Sequence, residues 1–466
     1  MHLPDELLHS LKNIRGFDSE AFKKVHASGD QVTSIRLNPA KLETAHEKRT
    51  IAAGVNFRLD EKVPWSDHGY YLSERPSFTF DPLFHAGCYY VQEASGMFLE
   101  HVLKQHVDLS NPLKILDLCA APGGKSTLIQ SIISSDSLLV SNEVIRSRIG
   151  ILTFNIIKWG CNNVIVTNND PKDFAGLENY FDVIVVDAPC SGSGLFRRNH
   201  EAAEHWSIDN LHLCCHRQQR ILADVFPSLK KNGILIYSTC SYSKEEDEDI
   251  IDWMIDVSGV KSLPLTIKDD WNIVEVQSEK NNAFGYRFFP NRLKGEGFFI
   301  AVFQKITGRE ETFLKTDRKL SLQKNKEITD IRAWIKNEEL EIIKYKDSLI
   351  AINPNLLSEI NTIQSRLRIH YSGTKLGALI RSKLIPDHAL AMSPRVSGNV
   401  ERSGINYEES IRYLKKSDMQ KKIITGGWQL VTYQQHPLGW INVLPQRINN
   451  YYPKELRILK DNEKGH

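Results

Sequence analysis

The sequence predicts an α/β fold built on a mostly parallel sheet, and three features predict it. Between about Tyr90 and Lys305, five apolar runs (KILDL, LLVSNEV, NVIVTNN, YFDVIVVDAP and NGILIYSTC) alternate with amphipathic stretches of helical period. Runs that are apolar at nearly every position suit strands buried on both faces, as in a parallel sheet covered by helices. The first run passes into a glycine turn, ILDLCAAPGGKSTLIQSII, and the next three runs end at or beside acidic residues. Open parallel sheets bind ligands outside the carboxyl ends of their strands, so the ends of these runs are where a site is expected.

A chain of 466 residues exceeds one ordinary core and predicts two to four domains. With 41% hydrophobic and 25% charged residues the composition is that of a globular protein. A net charge of +2 excludes a histone-like polycation but leaves room for a local basic face. The start, MHLPDELLHSLKN, carries acids and no apolar core, so it does not read as a secretory signal. No run of about 18 apolar residues occurs, which predicts no membrane span and no membrane partner. Seven cysteines without framework spacing suggest free thiols in a reducing cytoplasm.

In chain order, residues 1–90 read as an α+β extension, with helices over Asp5–Ile14 and Ser19–His26 and a strand in QVTSIRLN. Residues 91–306 form the sheet domain. Residues 307–327 are polar, lack apolar periodicity and read as a linker. A smaller domain spans 328–395, and SPRVSGNVERSG leads into a last domain, 396–466, with an amphipathic helix over Tyr407–Leu414 and a strand-rich tail.

Three ligands compete for the glycine turn. A P-loop is suggested by GGKS and by the carboxylate closing VIVVD, but Cys119 stands where its first glycine belongs and Pro122 removes an N–H donor. A dinucleotide site needs G-x-G-x-x-G, which is absent. S-adenosylmethionine has no pyrophosphate; it needs a tight turn for its amino-acid part, an acid after the next strand for the ribose and a polar residue after the third for the adenine. Glu143, Asp170 and Asp187 stand after successive runs in that pattern. One acid at a strand end is commonplace; three beside a glycine turn favour this cofactor.

Cys190 in DAPCSGSG follows the fourth run and Cys240 in IYSTCS the fifth, so both thiols are expected at the crevice of the methyl donor. That suits cytosine chemistry. Carbon 5 of cytosine is too electron-poor to attack a methyl group until a thiolate has added to carbon 6. Cys88 and Cys161 read as small buried hydrophobes. HLCCH (His212–His216) reads as helix packing rather than a metal site, because adjacent cysteines on a helix point about 100° apart.

DLCAAPGGK, DAPCSGSG and YSTCS, in that order, resemble the motifs of the NOL/NOP/Sun family of RNA cytosine-5 methyltransferases, as do YYVQEASGMF and GEGFFIAVFQK. GTKLGALIRSKLIPDHALA and PLGWINVLPQRINNYYPKELR are similar to the C-terminal pieces of its bacterial RsmF-like branch. The resemblance covers nearly the whole chain. It implies a Rossmann-like, class I S-adenosylmethionine-dependent methyltransferase domain, an RNA-binding N-terminal extension and a C-terminal PUA-like β barrel. By this resemblance Cys119, Ala120, Ala121, Pro122, Gly123, Gly124 and Lys125, with Glu143, Asp170 and Asp187, bind the cofactor. Cys240 is the nucleophile and Cys190 assists release; the ranking of the two thiols is the family's, and DNA cytosine-5 methyltransferases use the Pro-Cys thiol instead. The implied substrate is 16S ribosomal RNA, free or in the small ribosomal subunit. Transfer RNA, or an idle assembly factor, are the alternatives.

A base inside a helix reaches neither thiol, so the target must be flipped or single-stranded. Arg197, Arg198, Arg287 and Arg292 are candidate backbone contacts, as are the acid-free stretch Ile363–Lys383, the run Lys415–Lys422 and the aromatics Trp428, Tyr433 and Trp440. Nothing suggests an obligate oligomer, so a monomer is expected.

Overall fold

The computed structural model describes residues 3–42, 59–308, 331–336, 339–345, 347–381, 383–419 and 425–460. Among them the strands form four sheets, the largest of ten strands. The five apolar runs become β1 (Lys114–Asp117), β2 (Leu138–Asn142), β3 (Val164–Thr167), β4 (Phe181–Asp187) and β5 (Leu229–Thr239). Three further strands, β6 (Val274–Gln277), β7 (Phe284–Phe288) and β8 (Phe298–Lys305), complete one side. Across the sheet the order is β6-β7-β8-β5-β4-β1-β2-β3, then Ile369–Ser372, with Val260–Ser262 paired to β8 off this path as the tenth. β1 pairs in parallel with β2 on one side and β4 on the other, β2 leads on to β3 and β4 to β5, and β8 runs antiparallel to β5. The chain therefore reverses its direction of travel at β1, which opens a crevice beyond the ends of β1 and β4.

The alternation of buried residues explains why the runs look apolar throughout. Ile115, Leu139, Val183, Val185 and Ile236 face one core with the helices α1 (Leu99–His106), α2 (Gly124–Gln130) and α3 (Ile149–Trp159). Their neighbours Leu116, Leu138, Ile184, Val186 and Leu235 face the opposite core with α4 (Ile208–Val225) and α5 (Glu248–Val257). Both faces are covered, so neither has polar positions to spare.

Two connections lie beyond what local pattern shows. The stretch expected as a basic surface, Ile363–Lys383, contributes Ile369–Ser372 as an antiparallel edge strand against β3, and the helix before it, Leu357–Arg366, packs Ile360 and Ile363 into the α4 core. The remainder of that segment leads through Thr374–Ile380 into Lys383–Pro386, and these join Glu341–Tyr345 and Ser348–Ile352 in a four-stranded sheet. The first and last parts of the chain also share one core. Ile35, Leu37 and Tyr89 of the N-terminal sheet pack with Tyr413, Val431, Leu438 and Tyr452 of the C-terminal one. Tyr433 is a core residue there, Trp440 is buried in a neighbouring core with Leu340 and Leu390, and Trp428 packs on Tyr451 with ring centroids 4.4 Å apart. The predicted linker lies, past Gly308, outside the described residues, as does the end of the basic run beyond Met419.

Arg36 ties the N-terminal sheet to α2. Fully buried, it donates to Gln92 Oε1 (2.9 Å), Thr127 Oγ1 (2.7 Å) and Ser131 Oγ (3.1 Å), and its guanidinium stacks 4.5 Å from the Trp159 ring centre. No carboxylate accepts from it in these bonds, and burial pushes its pKa down to about 9. Arg36→Leu is expected to cost about 3 kcal/mol, because several buried acceptors lose their donor at once. An earlier first transition in urea denaturation checks this.

Candidate active site: two thiols beside a glycine turn

The turn after β1 is rooted in Asp117. This carboxyl is fully buried; Oδ2 accepts from Ser126 Oγ at 2.6 Å, whereas Oδ1 has no hydrogen-bond partner among the described residues. Burial pushes its pKa up to about 7. The turn then runs Cys119, Ala120, Ala121, Pro122, Gly123 into α2, with Gly123 at φ +113°, a conformation that favours glycine. Burial raises the Cys119 thiol above its ordinary range. The Ala120 N–H donates to Asn142 O (2.8 Å), and Asn155 donates to Pro122 O (2.8 Å).

Glu143, just past β2, is buried. It accepts from the Ile145 N–H (2.8 Å) and pairs with Arg148 (3.3 Å), which also donates to Ala121 O (2.6 Å). Arg148 thus joins the acid to the turn. On the other side Lys125 Nζ contacts Asp187 Oδ2 at 2.7 Å, and Asp187 Oδ1 accepts from Ser238 Oγ at 2.8 Å. Burial works against the Lys125 charge, but Asp187, Asp117 and Cys240 outweigh it and hold the ammonium above its ordinary range.

β4 and β5 are parallel neighbours, so Cys190 and Cys240 leave the sheet at the same edge, and their Sγ atoms lie 3.1 Å apart. The loops are fastened at close range. Gly194 N–H donates to Cys240 O (2.8 Å), Gly297 N–H to Gly194 O (3.1 Å) and Tyr242 N–H to Ser193 Oγ (3.0 Å). The Cys190 thiol is held well above its ordinary pKa, first by the hydrogen bond with Cys240, then by burial and the charges of Cys240 and Glu246.

The structure brings Cys119–Lys125, Asp187, Cys190 and Cys240 together, with Glu143 attached through Arg148. Asp170 stands farther out. It caps the turn Pro171–Leu177 through the Lys172 N–H (3.2 Å), and Arg220 contacts its carboxylate at 3.2 Å. Two of the candidate RNA contacts are internal instead, and a third, exposed Arg198, is tied down at the surface. Arg287 is buried against Glu248 and Asp247, Arg197 is buried against Glu296 and the Asp30 carbonyl, and Arg198 bonds Glu296 and the Val32 carbonyl. Formal charge does not reveal that these cations hold loops together. Arg292 is exposed. Cys214 and Cys215 are buried on α4, and Cys88 is buried in the core shared by the two ends of the chain. A cavity of about 650 Å³ lies elsewhere, between α3, Ile369–Ser372 and the C-terminal segment, and none of the predicted catalytic or cofactor residues lines it.

Sequence reasoning missed Glu246. It is fully buried and accepts hydrogen bonds from Ser191, Ser241 and Gln218. Its only signal was its place six residues after Cys240, inside the charged run KEEDED.

Comparison with known proteins agrees with this architecture. Residues 104–304 match the model of 16S rRNA methyltransferase RsmB/F, residues 3–94 that of the RsmF N-terminal domain, and residues 402–458 that of the RsmF PUA domain. Along most of its length the chain is thus similar to the 16S rRNA methyltransferases RsmB and RsmF, the three models matching in domain order. Residues 104–304 carry a methyltransferase domain. Ribosomal RNA small subunit methyltransferase F of Aeromonas salmonicida is 28% identical over 99% of this chain and 98% of its own length. Its counterpart in Shewanella loihica is 27% identical over 91% and 88%. A methyltransferase homolog from Pyrococcus horikoshii aligns with TM-score 0.52 and 27% identity over 65% of this chain and all of its own. The structure of NSun6 from Pyrococcus horikoshii with SFG shares the fold, at TM-score 0.53 and 19% identity, over 66% of this chain and 99% of its own.

Gly194 is a sharp test of the loop geometry. A Cβ there would stand 2.5 Å from the Gly297 carbonyl oxygen and 2.7 Å from that of Cys240. Gly194→Ala is expected to lower the methylation rate at least about tenfold by displacing the Cys190 loop. Gly150→Ala, whose Cβ meets nothing within 4 Å, should stay within about twofold. Both are read by tritium transfer from labelled cofactor.

Proposed function

We propose that this chain methylates carbon 5 of cytosine in 16S ribosomal RNA through a covalent bond between Cys240 and carbon 6 of the base. The observation that carries the reading is the pair of thiols in contact, at the ends of two parallel strands, beside the glycine turn.

The residues fit the cofactor. Asp117 Oδ1 is a buried acceptor without a partner at the root of the turn, matched to the ammonium of an amino acid. Cys119–Lys125 wrap that part, Glu143 takes the ribose, Asp170 the adenine side, and Asp187 stays with Lys125 at the inner end. S-adenosylmethionine, when bound, supplies an electrophilic methyl group on a sulfonium.

The protein's own groups do the rest. Cys240, with the Cys190 sulfur 3.1 Å away, adds as its thiolate to carbon 6 and makes carbon 5 nucleophilic. After methyl transfer the proton on carbon 5 leaves to a base and the bond to Cys240 breaks. Cys190, whose thiol is held well above its ordinary pKa at contact distance, gives its proton to the departing sulfur and so assists release. Residues 1–90 and 396–466 flank the 91–306 domain as RNA-holding domains, with 328–395 between them. Exposed Arg366 and Arg368 offer phosphate contacts near Asn169, whose side chain bonds the Arg368 backbone at 3.0 Å. Among the described residues no helix is long and apolar enough to cross a membrane. We propose a monomer acting in the cytoplasm, with no membrane partner.

Bisulfite sequencing of RNA from cells with and without the gene tests the substrate. Loss of protected cytosines in small-subunit ribosomal RNA is expected; loss in transfer RNA alone would redirect the target, and no change would reject the reaction. Cys240→Ala should abolish methyl transfer, and a normal rate would remove its role as nucleophile. Cys190→Ala should leave a protein–RNA adduct that survives denaturing electrophoresis, and free release by that variant would count against Cys190.

A further inference from the structure

We propose that Glu246 is a positioning residue, a single buried carboxylate that fixes the two thiol loops against each other and so sets the distance between the attacking and the releasing sulfur. The inference rests on the covalent reading above.

The two loops lie 50 residues apart in sequence, and Glu246 belongs to neither strand end, yet it touches the residue that follows each thiol. Its Oε1 accepts from the Ser191 N–H (2.8 Å) and Gln218 Nε2 (3.0 Å). Its Oε2 accepts from Ser191 Oγ (2.5 Å) and Ser241 Oγ (2.6 Å). Ser191 follows Cys190 and Ser241 follows Cys240, so one rigid group spans both loops. The frame behind it is also fixed. Gln218 Nε2 donates to Pro189 O (3.1 Å), and the Tyr237 hydroxyl donates to the Glu246 carbonyl (2.7 Å).

All four donors are neutral. A buried carboxylate is tolerated when its lone pairs are filled in this way, and as an acceptor-only group it dictates the direction of every donor. An amide in its place keeps the shape but must donate from one side, where it meets hydroxyls that can turn or an N–H that cannot. Glu246 makes these bonds away from the sulfurs themselves, which is why its part is positioning rather than chemistry. Its charge also helps hold the proton on Cys190, after the larger effects of the Cys240 hydrogen bond and burial.

The test uses full-length protein, S-adenosylmethionine and small ribosomal subunits from cells lacking the gene, under single turnover with both substrates saturating. Glu246→Ala should lower the methyl-transfer rate at least about 30-fold while the dissociation constant for S-adenosylmethionine stays within about twofold. Glu246→Gln should recover at least about fivefold of that loss. In the Cys190→Ala background, Glu246→Ala should slow adduct formation by a similar factor. A Glu246→Ala protein that turns over within threefold of wild type overturns the proposal. So does a rate loss matched by an equal loss of cofactor affinity, because that marks general damage. If Glu246→Ala does not fold, the double variant Ser191→Ala/Ser241→Ala removes both hydroxyl donors and leaves the carboxylate. A rate loss of at least tenfold is then expected, and an unchanged rate overturns the proposal. Wild-type methylation and the Cys190→Ala adduct are run alongside. Their failure rejects the covalent reading, whereas their success with unaffected Glu246 variants rejects the positioning role alone.

Discussion

β4 and β5 lie side by side and run the same way, so the chain leaves both at one edge of the sheet. Everything at the site depends on that adjacency. Two cysteines distant in sequence become neighbours because each is the third residue past its strand or the first, and the short loops have no room to diverge. Gly194, Gly297 and the Cys240 backbone meet at hydrogen-bond distance just behind the sulfurs, at a spot where a single methyl group does not fit. The thiol contact is thus a property of the sheet first and of the side chains second.

The methyl donor's side of the crevice is built from the other neighbour of β4. β1 ends in buried Asp117 and turns through the glycines into α2, and Lys125 reaches back to Asp187 at the end of β4. That ion pair is the seam between the cofactor half and the thiol half. α2 is held from outside by Arg36, so the N-terminal sheet supports the helix that follows the glycine turn. The N-terminal sheet in turn packs against the C-terminal one, which makes the ends of the chain one body on the flank of the catalytic sheet.

The five strands were legible because a strand covered on both faces has to be apolar at successive positions, and Ile115 and Leu116 serve opposite cores. The turn and the thiols were legible because their chemistry is written within a few residues of a strand end. Ile369–Ser372 was not: it reaches β3 from about 200 residues away, and its exposed Arg368 and His370 read as a basic surface. Arg197 and Arg287 were misread for a related reason, since a buried arginine and a surface arginine are the same letter until their carboxylates are placed. Glu246 was hidden in KEEDED, where a run of acids ordinarily faces water. Only the fold reveals that one of them turns inward to two serines.

The central claim is that Cys240 is the sulfur that bonds to the base. RNA carrying 5-fluorocytidine tests it most directly, because the fluorine on carbon 5 cannot leave as a proton does and the covalent complex is trapped. Wild-type protein is reacted with such RNA and the cofactor, digested, and the modified peptide is sequenced by mass spectrometry. The account predicts a nucleotide on Cys240 and none on Cys190. A nucleotide on Cys190, or a trapped complex with neither thiol modified, would contradict it.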